Sequence, residues 1–240
     1  MFEVDYSVDF VFNAYNEIET IENDLKSLIN LAKEFEFVNK IIVVEDGSQD
    51  GTAELLVDLR NSYGFELLQS KNRRGYANAL ITGLSATSSE FIFFSDFGGK
   101  FDWSDINKLL KKLPNYDLII GVRKGRTDPI YRRLLTILYS LYIKLFFQIH
   151  SKDPDSGFRV YRRNLVEKLL SEKIHNKHLL NSEFTIKSIG YGFMYTEVEV
   201  KYYTREGKSR GLPINIIPQV ILTVISNSFK IKKQIKENYE

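Results

Sequence analysis

The sequence predicts an α/β fold, a mostly parallel sheet with helices on both faces. Two observations carry this. Short β-branched and aromatic runs, the pattern of buried strands, alternate through the first half with longer stretches of helical periodicity. Strands separated by helices in this way pair in parallel and need cover on both faces. The length of 240 residues is ample for a sizeable core, and 43% hydrophobic with 27% charged residues excludes a disordered chain.

The elements follow in order. Val8–Phe12 reads as the first strand. Ile18, Ile21, Leu25, Leu28, Ile29 and Ala32 recur at three- and four-residue steps, as one face of a helix does. Strands are expected at Lys40–Val44, Phe65–Gln69, Phe91–Ser95 and Asp117–Gly121, and helices at Thr52–Asn61, Tyr76–Ala86 and Ser104–Leu113. Ser104 and Asp105 are the expected capping residues of the last of these. Tyr131–Ile149 is apolar on nearly every side, with Arg132, Arg133 and Lys144 as its only charges. Ser182–Ile189 suits a helix and Phe193–Val200 a strand. Leu212–Phe229 carries no charge, and Lys230, Lys232, Lys233 and Lys236 follow it. The expected division is therefore a catalytic-type domain over 1–211 and an apolar helix with a basic tail over 212–240.

Composition excludes several chemistries. The chain has no Cys, which removes disulfides, thiolate metal sites and a Cys nucleophile. Three His residues, His150, His175 and His178, argue against a multi-His metal centre. A formal charge of +2 gives no reason to expect a nucleic-acid partner. The acidic N-terminus MFEVDYSVDF does not read as a secretory signal.

Ligands of such sheets bind at the carboxyl ends of the strands. Glu45-Asp46-Gly47-Ser48-Gln49-Asp50-Gly51-Thr52 places acids at a strand end, suited either to ribose and base hydrogen bonds or to a tight turn with a helix cap. Asp96, at the end of Phe91–Phe94, can hold a divalent cation with substrate phosphates, or cap a turn. Asn72-Arg73-Arg74-Gly75 precedes a helix and suits an anion or a solvated turn. Asp153 and Asp155 lie in a turn-forming stretch, Asp153–Arg159, that follows the long apolar helix. Arg205-Glu206-Gly207-Lys208-Ser209-Arg210 is a basic loop able to close over phosphates, or a solvated charge run.

Taken in order, these segments resemble the family-two glycosyltransferases with a GT-A nucleotide-binding fold, and within them the dolichol-phosphate mannose synthase branch. The resemblance rests on Asn13-Ala14-Tyr15-Asn16-Glu17, on Ile41–Ser48 with Asp50-Gly51-Thr52, and on Asn72–Gly75 with Ala79 and Gly83-Leu84. Gly121-Val122-Arg123, Ser156-Gly157-Phe158-Arg159 and Gly207-Lys208-Ser209 complete it, so that it runs nearly the whole chain. It implies that Tyr15, Glu17 and Asp46 hold the base and ribose of a UDP- or GDP-linked sugar. Asp96 would be the first acid of the family's Asp-x-Asp motif and a ligand of Mg²⁺ or Mn²⁺. Gly98 and Lys100 would border the donor. Arg123, Arg132 or Arg133, Arg205 and Lys208 would contact the diphosphate or an acceptor phosphate, and Asp153, Asp155 and Arg159 would border the acceptor. Asn13 stands where the family usually has Pro, and Gly98 where it has its second acid. Either phosphates and water complete the metal site around Asp96, or Lys100 replaces the metal's charge, or the protein has weak or no activity.

The implied reaction is an inverting transfer of a sugar to a polyprenyl phosphate. A growing surface glycan as acceptor, or a catalytically silent nucleotide-sugar-binding protein, are the alternatives. A nucleotidyltransferase is disfavoured, for no Gly-rich basic loop opens the chain. A lipid acceptor would account for the two apolar segments. They are too polar or too short for confident membrane spans, but with the lysines after them they suit an anionic membrane surface. The expected location is cytoplasmic, at the inner face of a membrane. Core helices or the interface of a homodimer are the competing expectation for both segments.

Overall fold

The computed structural model describes residues 6–125, 130–203 and 217–238. Nothing is described of the Arg205–Arg210 loop or of 212–216. The elements run β1 (Val8–Ala14), α1 (Ile21–Ala32), β2 (Val38–Glu45), α2 (Thr52–Tyr63), β3 (Glu66–Gln69), α3 (Tyr76–Ser85) and β4 (Phe91–Asp96). Then follow α4 (Ile106–Leu110), β5 (Leu118–Lys124), α5 (Ile130–Phe147), β6 (Arg159–Arg162), α6 (Arg163–Ser171), α7 (Leu180–Gly190), β7 (Tyr195–Lys201) and α8 (Ile217–Glu237).

The strands form one seven-stranded sheet in the order β3-β2-β1-β4-β6-β5-β7. All its pairings are parallel except those of β6, which runs antiparallel to both β4 and β5. The expected α/β class is therefore met, with one reversed strand near the centre. Strand alternation sorts the core. Phe10, Phe12 and Phe93 face α1, α2 and α4, with Trp103 and Phe158 in the same cluster. Val11, Val44 and Phe94 face the other way, toward α3, α6 and α7. Gly83 lets α3 sit directly on the sheet, since a Cβ there would lie 2.4 Å from Val11 Cγ1.

Two local expectations are corrected. The helix anticipated from Ser104 begins as a 3₁₀ turn over Trp103–Asp105, and its cap is Asp102, which accepts from the Ser104 backbone N–H at 3.1 Å. Asp105 instead pairs with Lys108 and accepts from the Lys201 backbone N–H. The lysines after Phe229 form no separate tail, because α8 continues through them. A third apolar cluster, Ile143, Ile149, Ile186 and Ile231, joins α5, α7 and α8. Among the described residues no helix is long and apolar enough to cross a membrane.

Candidate active site

The chemistry-bearing loops meet at the carboxyl ends of β1, β2, β4 and β5. The loop after β2 is built first. Both oxygens of Asp46 accept backbone N–H groups, from Arg74 and Gly75, each at 2.8 Å. This draws the 72–75 loop against the end of β2. Gly47 stands at the junction with φ +71°, and a Cβ there would lie 2.5 Å from backbone atoms of Asn72 and Arg73. The loop after β1 is laced to the same place. Asn16, at φ 54°, donates its N–H to Ser48 Oγ and accepts from the Gln49 N–H, both at 2.9 Å. The Glu17 N–H bonds Thr52 Oγ1 at 2.8 Å. Tyr15 is covered by the Arg73 guanidinium, 4.1 Å from its ring centroid. The loops that carry Tyr15, Glu17 and Asp46 are thus laced together, and Arg73 joins them.

The loop after β4 is held by a residue the sequence reading missed. Asp24, buried on α1, accepts from the Gly98 and Gly99 backbone N–H groups at 3.1 and 2.9 Å and from Trp103 Nε1 at 3.2 Å. Its signal is an acid on the apolar face of α1, beside Ile21, Leu25 and Leu28. Gly98 has φ +121°, and a Cβ there would sit 3.1 Å from both carboxylate oxygens of Glu17. The buried Glu17 carboxylate therefore lies over the position at which the motif's second acid is missing.

Asp96 is pushed up to about 7. Burial is the main cause, and the Glu17 and Asp155 carboxylates add to it, against the Lys100 and Arg123 cations. Its Oδ1 is buried with no hydrogen-bond partner. Five of the expected residues, Glu17, Asp96, Lys100, Arg123 and Asp155, thus share one electrostatic neighbourhood.

At the end of β5 Asp153 and Arg123 hold each other. The guanidinium donates to both carboxylate oxygens at 2.7 and 2.6 Å. Asp155 accepts from the Ser182 N–H and Oγ at 3.3 and 3.1 Å. Burial raises its pKa, and Arg123 and Arg159 oppose that. Arg159 corrects an expectation. It is wholly buried, and donates to the carbonyls of Pro154, Ser156 and Asn181 and to the hydroxyl oxygens of Tyr161 and Thr185. It shapes the Asp153–Phe158 loop from beneath and has no donor left for an acceptor phosphate. The side chains of Arg132 and Arg133, on α5, and all of Arg205 and Lys208 lie outside the described residues.

Carboxylate oxygens are the donors that Mg²⁺ and Mn²⁺ prefer. Among the described residues no group of three or more His, Asp or Glu is arranged to hold a metal ion. Asp96, with an unpartnered buried oxygen, and Glu17, folded over Gly98, nevertheless fit a divalent cation whose remaining ligands come from a diphosphate.

A mostly parallel sheet with acidic and basic loops gathered at its carboxyl edge defines an α/β protein of the kind that takes its ligands there. The family model for glycosyl transferase family 2 matches residues 9–170, and the chain belongs to that family. It is 25% identical over 216 residues to an undecaprenyl-phosphate 4-deoxy-4-formamido-L-arabinose transferase of Pseudomonas fluorescens, covering 88% of this chain and 62% of that one. It is 36% identical over 90 residues to a poly-beta-1,6-N-acetyl-D-glucosamine synthase of Staphylococcus epidermidis, covering 37% of this chain and 21% of that one. The chain thus spans less than two thirds of either relative. Its fold matches glucosyl-3-phosphoglycerate synthase of Mycobacterium tuberculosis, solved with Mn²⁺, UDP-glucose and phosphoglyceric acid. The TM-score is 0.70 at 19% identity, over 93% of this chain and 80% of that one. The expected GT-A fold is met.

Proposed function

We propose that this chain is an inverting glycosyltransferase that moves a sugar from a nucleotide sugar to a polyprenyl phosphate at a membrane surface, as in the dolichol-phosphate mannose synthase branch. The observation that carries the lipid acceptor is an exposed apolar face beside the acceptor loop. Leu134, Ile137, Leu138, Leu141 and Leu145 form an uncovered stripe on α5, and Ile221, Leu222, Ile225 and Phe229 one on α8. Phe146 and Phe229 bring the helices together, their ring centroids 5.0 Å apart. Tyr139 of α5 hydrogen-bonds Ser182, the residue that also binds Asp155. The undecaprenyl-phosphate transferase among the relatives supports the same class of acceptor.

In the proposed reaction an acceptor phosphate oxygen bonds the anomeric carbon as the bond from that carbon to the nucleoside diphosphate breaks. The phosphate is already an anion, so it needs positioning and no general base. Arg123, steadied by Asp153, offers that cation. Lys100, whose cation acts on Asp96, would stabilise the departing diphosphate. Asp96 and Glu17 would hold Mg²⁺ or Mn²⁺, which supplies further positive charge for the leaving group. Were the acceptor a glycan hydroxyl, Asp155 would be the base, since Asp153 is engaged by Arg123.

The test is transfer from radiolabelled UDP- and GDP-sugars to polyprenyl phosphate in vesicles, with Mn²⁺, Mg²⁺ or EDTA. Label in the lipid phase is expected with one donor. Label passing to oligosaccharide instead would replace the lipid reading with the glycan one. A chain that binds donor yet transfers to neither is a silent family member.

A further inference from the structure

Among the described residues, four buried polar atoms on one face of the sheet's carboxyl edge have no hydrogen-bond partner. They are both ends of the Asn13 amide, Asp96 Oδ1 and Asn181 Oδ1. Asn13 is 8% exposed and Asn181 4%. Asn13 and Asp96 are paired residues of the parallel strands β1 and β4, so their side chains leave the same face of the sheet. That face is the α3 side, because Val11 and Phe94, two residues earlier, pack with α3. Asn181 opens α7 on the same side and donates to the Tyr76 hydroxyl at 2.5 Å, and Tyr76 opens α3. Gly157 is the common floor. A Cβ there would lie 3.0 Å from Asp96 Oδ2, 3.4 Å from the Tyr76 hydroxyl and 3.7 Å from Asn181 Nδ2.

Buried polar groups are almost always paired, so a cluster of unpaired ones beside a reaction centre marks groups kept for a ligand. With Asp96 Oδ1 left to the metal, the unused set is two acceptor oxygens and one amide donor, from Asn13 and Asn181, with no cation among them. A phosphate would meet mostly acceptors and would face the Asp96 and Asp155 carboxylates. A neutral ring with adjacent hydroxyls matches the set, since each hydroxyl donates once and accepts as well.

We infer that Asn13, Tyr76 and Asn181 read the hydroxyls of the donor sugar and set which sugar is accepted. The inference rests on the nucleotide-sugar reading above and names its specificity-determining residues. Asn13 then has a purpose that Pro, usual at this position in the resembling family, could not serve. Gly157 keeps the floor low enough for the ring to approach.

Calorimetric titration of the full chain separates the possibilities, using UDP, GDP and their hexoses with Mn²⁺. Asn13→Ala and Asn181→Ala are expected to lower affinity for the nucleotide sugar about 10–100-fold while the free nucleotide shifts less than about twofold. Tyr76→Phe, the mildest change, should alter the ranking among hexose epimers. Equal loss for nucleotide and nucleotide sugar, or no loss for either, overturns the inference. Deoxy-sugar donors on the unaltered protein cover variants that fail to fold. Removal of at least one hydroxyl should then weaken binding about tenfold or more, and uniform tolerance of every deoxy donor overturns the inference. If the unaltered protein binds no nucleotide and no nucleotide sugar, the transferase reading fails first and takes this one with it.

Discussion

Gly47 is the residue on which the packing of the 72–75 loop against the end of β2 turns. Its φ of +71° disfavours any side chain, and the atoms a Cβ would strike, 2.5 Å away, are backbone of the 72–75 loop and cannot rotate aside. Gly47→Ala should lower stability by about 2 kcal/mol and nucleotide affinity at least about tenfold, because the loop that Asp46 holds must retreat. Urea denaturation and nucleotide titration check the two halves. Asp9 makes the corresponding point for stability. Burial alone would raise its pKa, but hydrogen bonds from Ser88, Ser89 and Asn39 outweigh that and hold it below the usual carboxylate range. A depressed folded pKa stabilises above the unfolded value and the benefit is lost as pH falls through the folded one. Asp9→Asn should therefore be less stable than the parent at pH 7 by about 1–3 kcal/mol, with the gap closing below about pH 4. A gap that persists at pH 2 in urea titrations would contradict the assignment.

At the scale of elements, the Asp24 contacts tie α1 to the loop after β4 and hold the Gly98–Gly99 backbone under Glu17. Asp24→Ala leaves those N–H groups and Trp103 Nε1 without their acceptor. Binding of the preferred nucleotide, UDP or GDP, with Mn²⁺ should weaken about tenfold or more through the displaced loop, with a loss of about 1–3 kcal/mol in stability. Asp24→Asn keeps one acceptor and should fall between. The elements also mark how far sequence carries. The parallel strands were legible because each is a short apolar run between helical stretches, and β1, β2, β4 and β5 fall where those runs predict. The strand β6 was not, because its sequence Arg-Val-Tyr-Arg begins with a buried Arg159 whose charge is satisfied by distant carbonyls. Composition cannot reveal such pairing. For the same reason Arg159 read as a residue bordering the acceptor. Asp96 was legible from its strand-end position, while Glu17 came from the family resemblance and Asp155 from a turn-forming stretch; Asn181 and Tyr76 could not be found. Their meeting depends on α7 crossing to α3, a contact between residues 105 positions apart.

For the whole molecule the uncovered apolar face has an energetic consequence. Leu145 is 71% exposed, Leu222 70% and Phe229 61%, and they lie on neighbouring helices. A contiguous patch of this kind marks an interaction surface. Its charge favours an anionic bilayer over a second protein copy. The α5 sequence contains Lys144 and no Asp or Glu, and Lys230, Lys232, Lys233 and Lys236 follow Phe229 on α8. Lys232 reaches across to Phe146, 4.8 Å from its ring, so at least one of these cations is already seated at the edge of the apolar surface. Helices of this character lie in the headgroup boundary, held by apolar burial and by attraction to acidic lipids. The chain should therefore co-sediment with vesicles containing phosphatidylserine or phosphatidylglycerol and far less with neutral ones. Added salt should weaken the association, as screening requires. Leu145→Glu and Leu222→Glu remove no buried contact and should leave the circular dichroism and nucleotide affinity unchanged, yet each should reduce vesicle binding about tenfold. Transfer to a polyprenyl phosphate embedded in vesicles should fall in step, while transfer to a detergent-dispersed acceptor should hold. If instead the parent sediments as a dimer, ignores vesicles, and becomes monomeric on Leu222→Glu, the face is a protein interface and the membrane assignment is wrong.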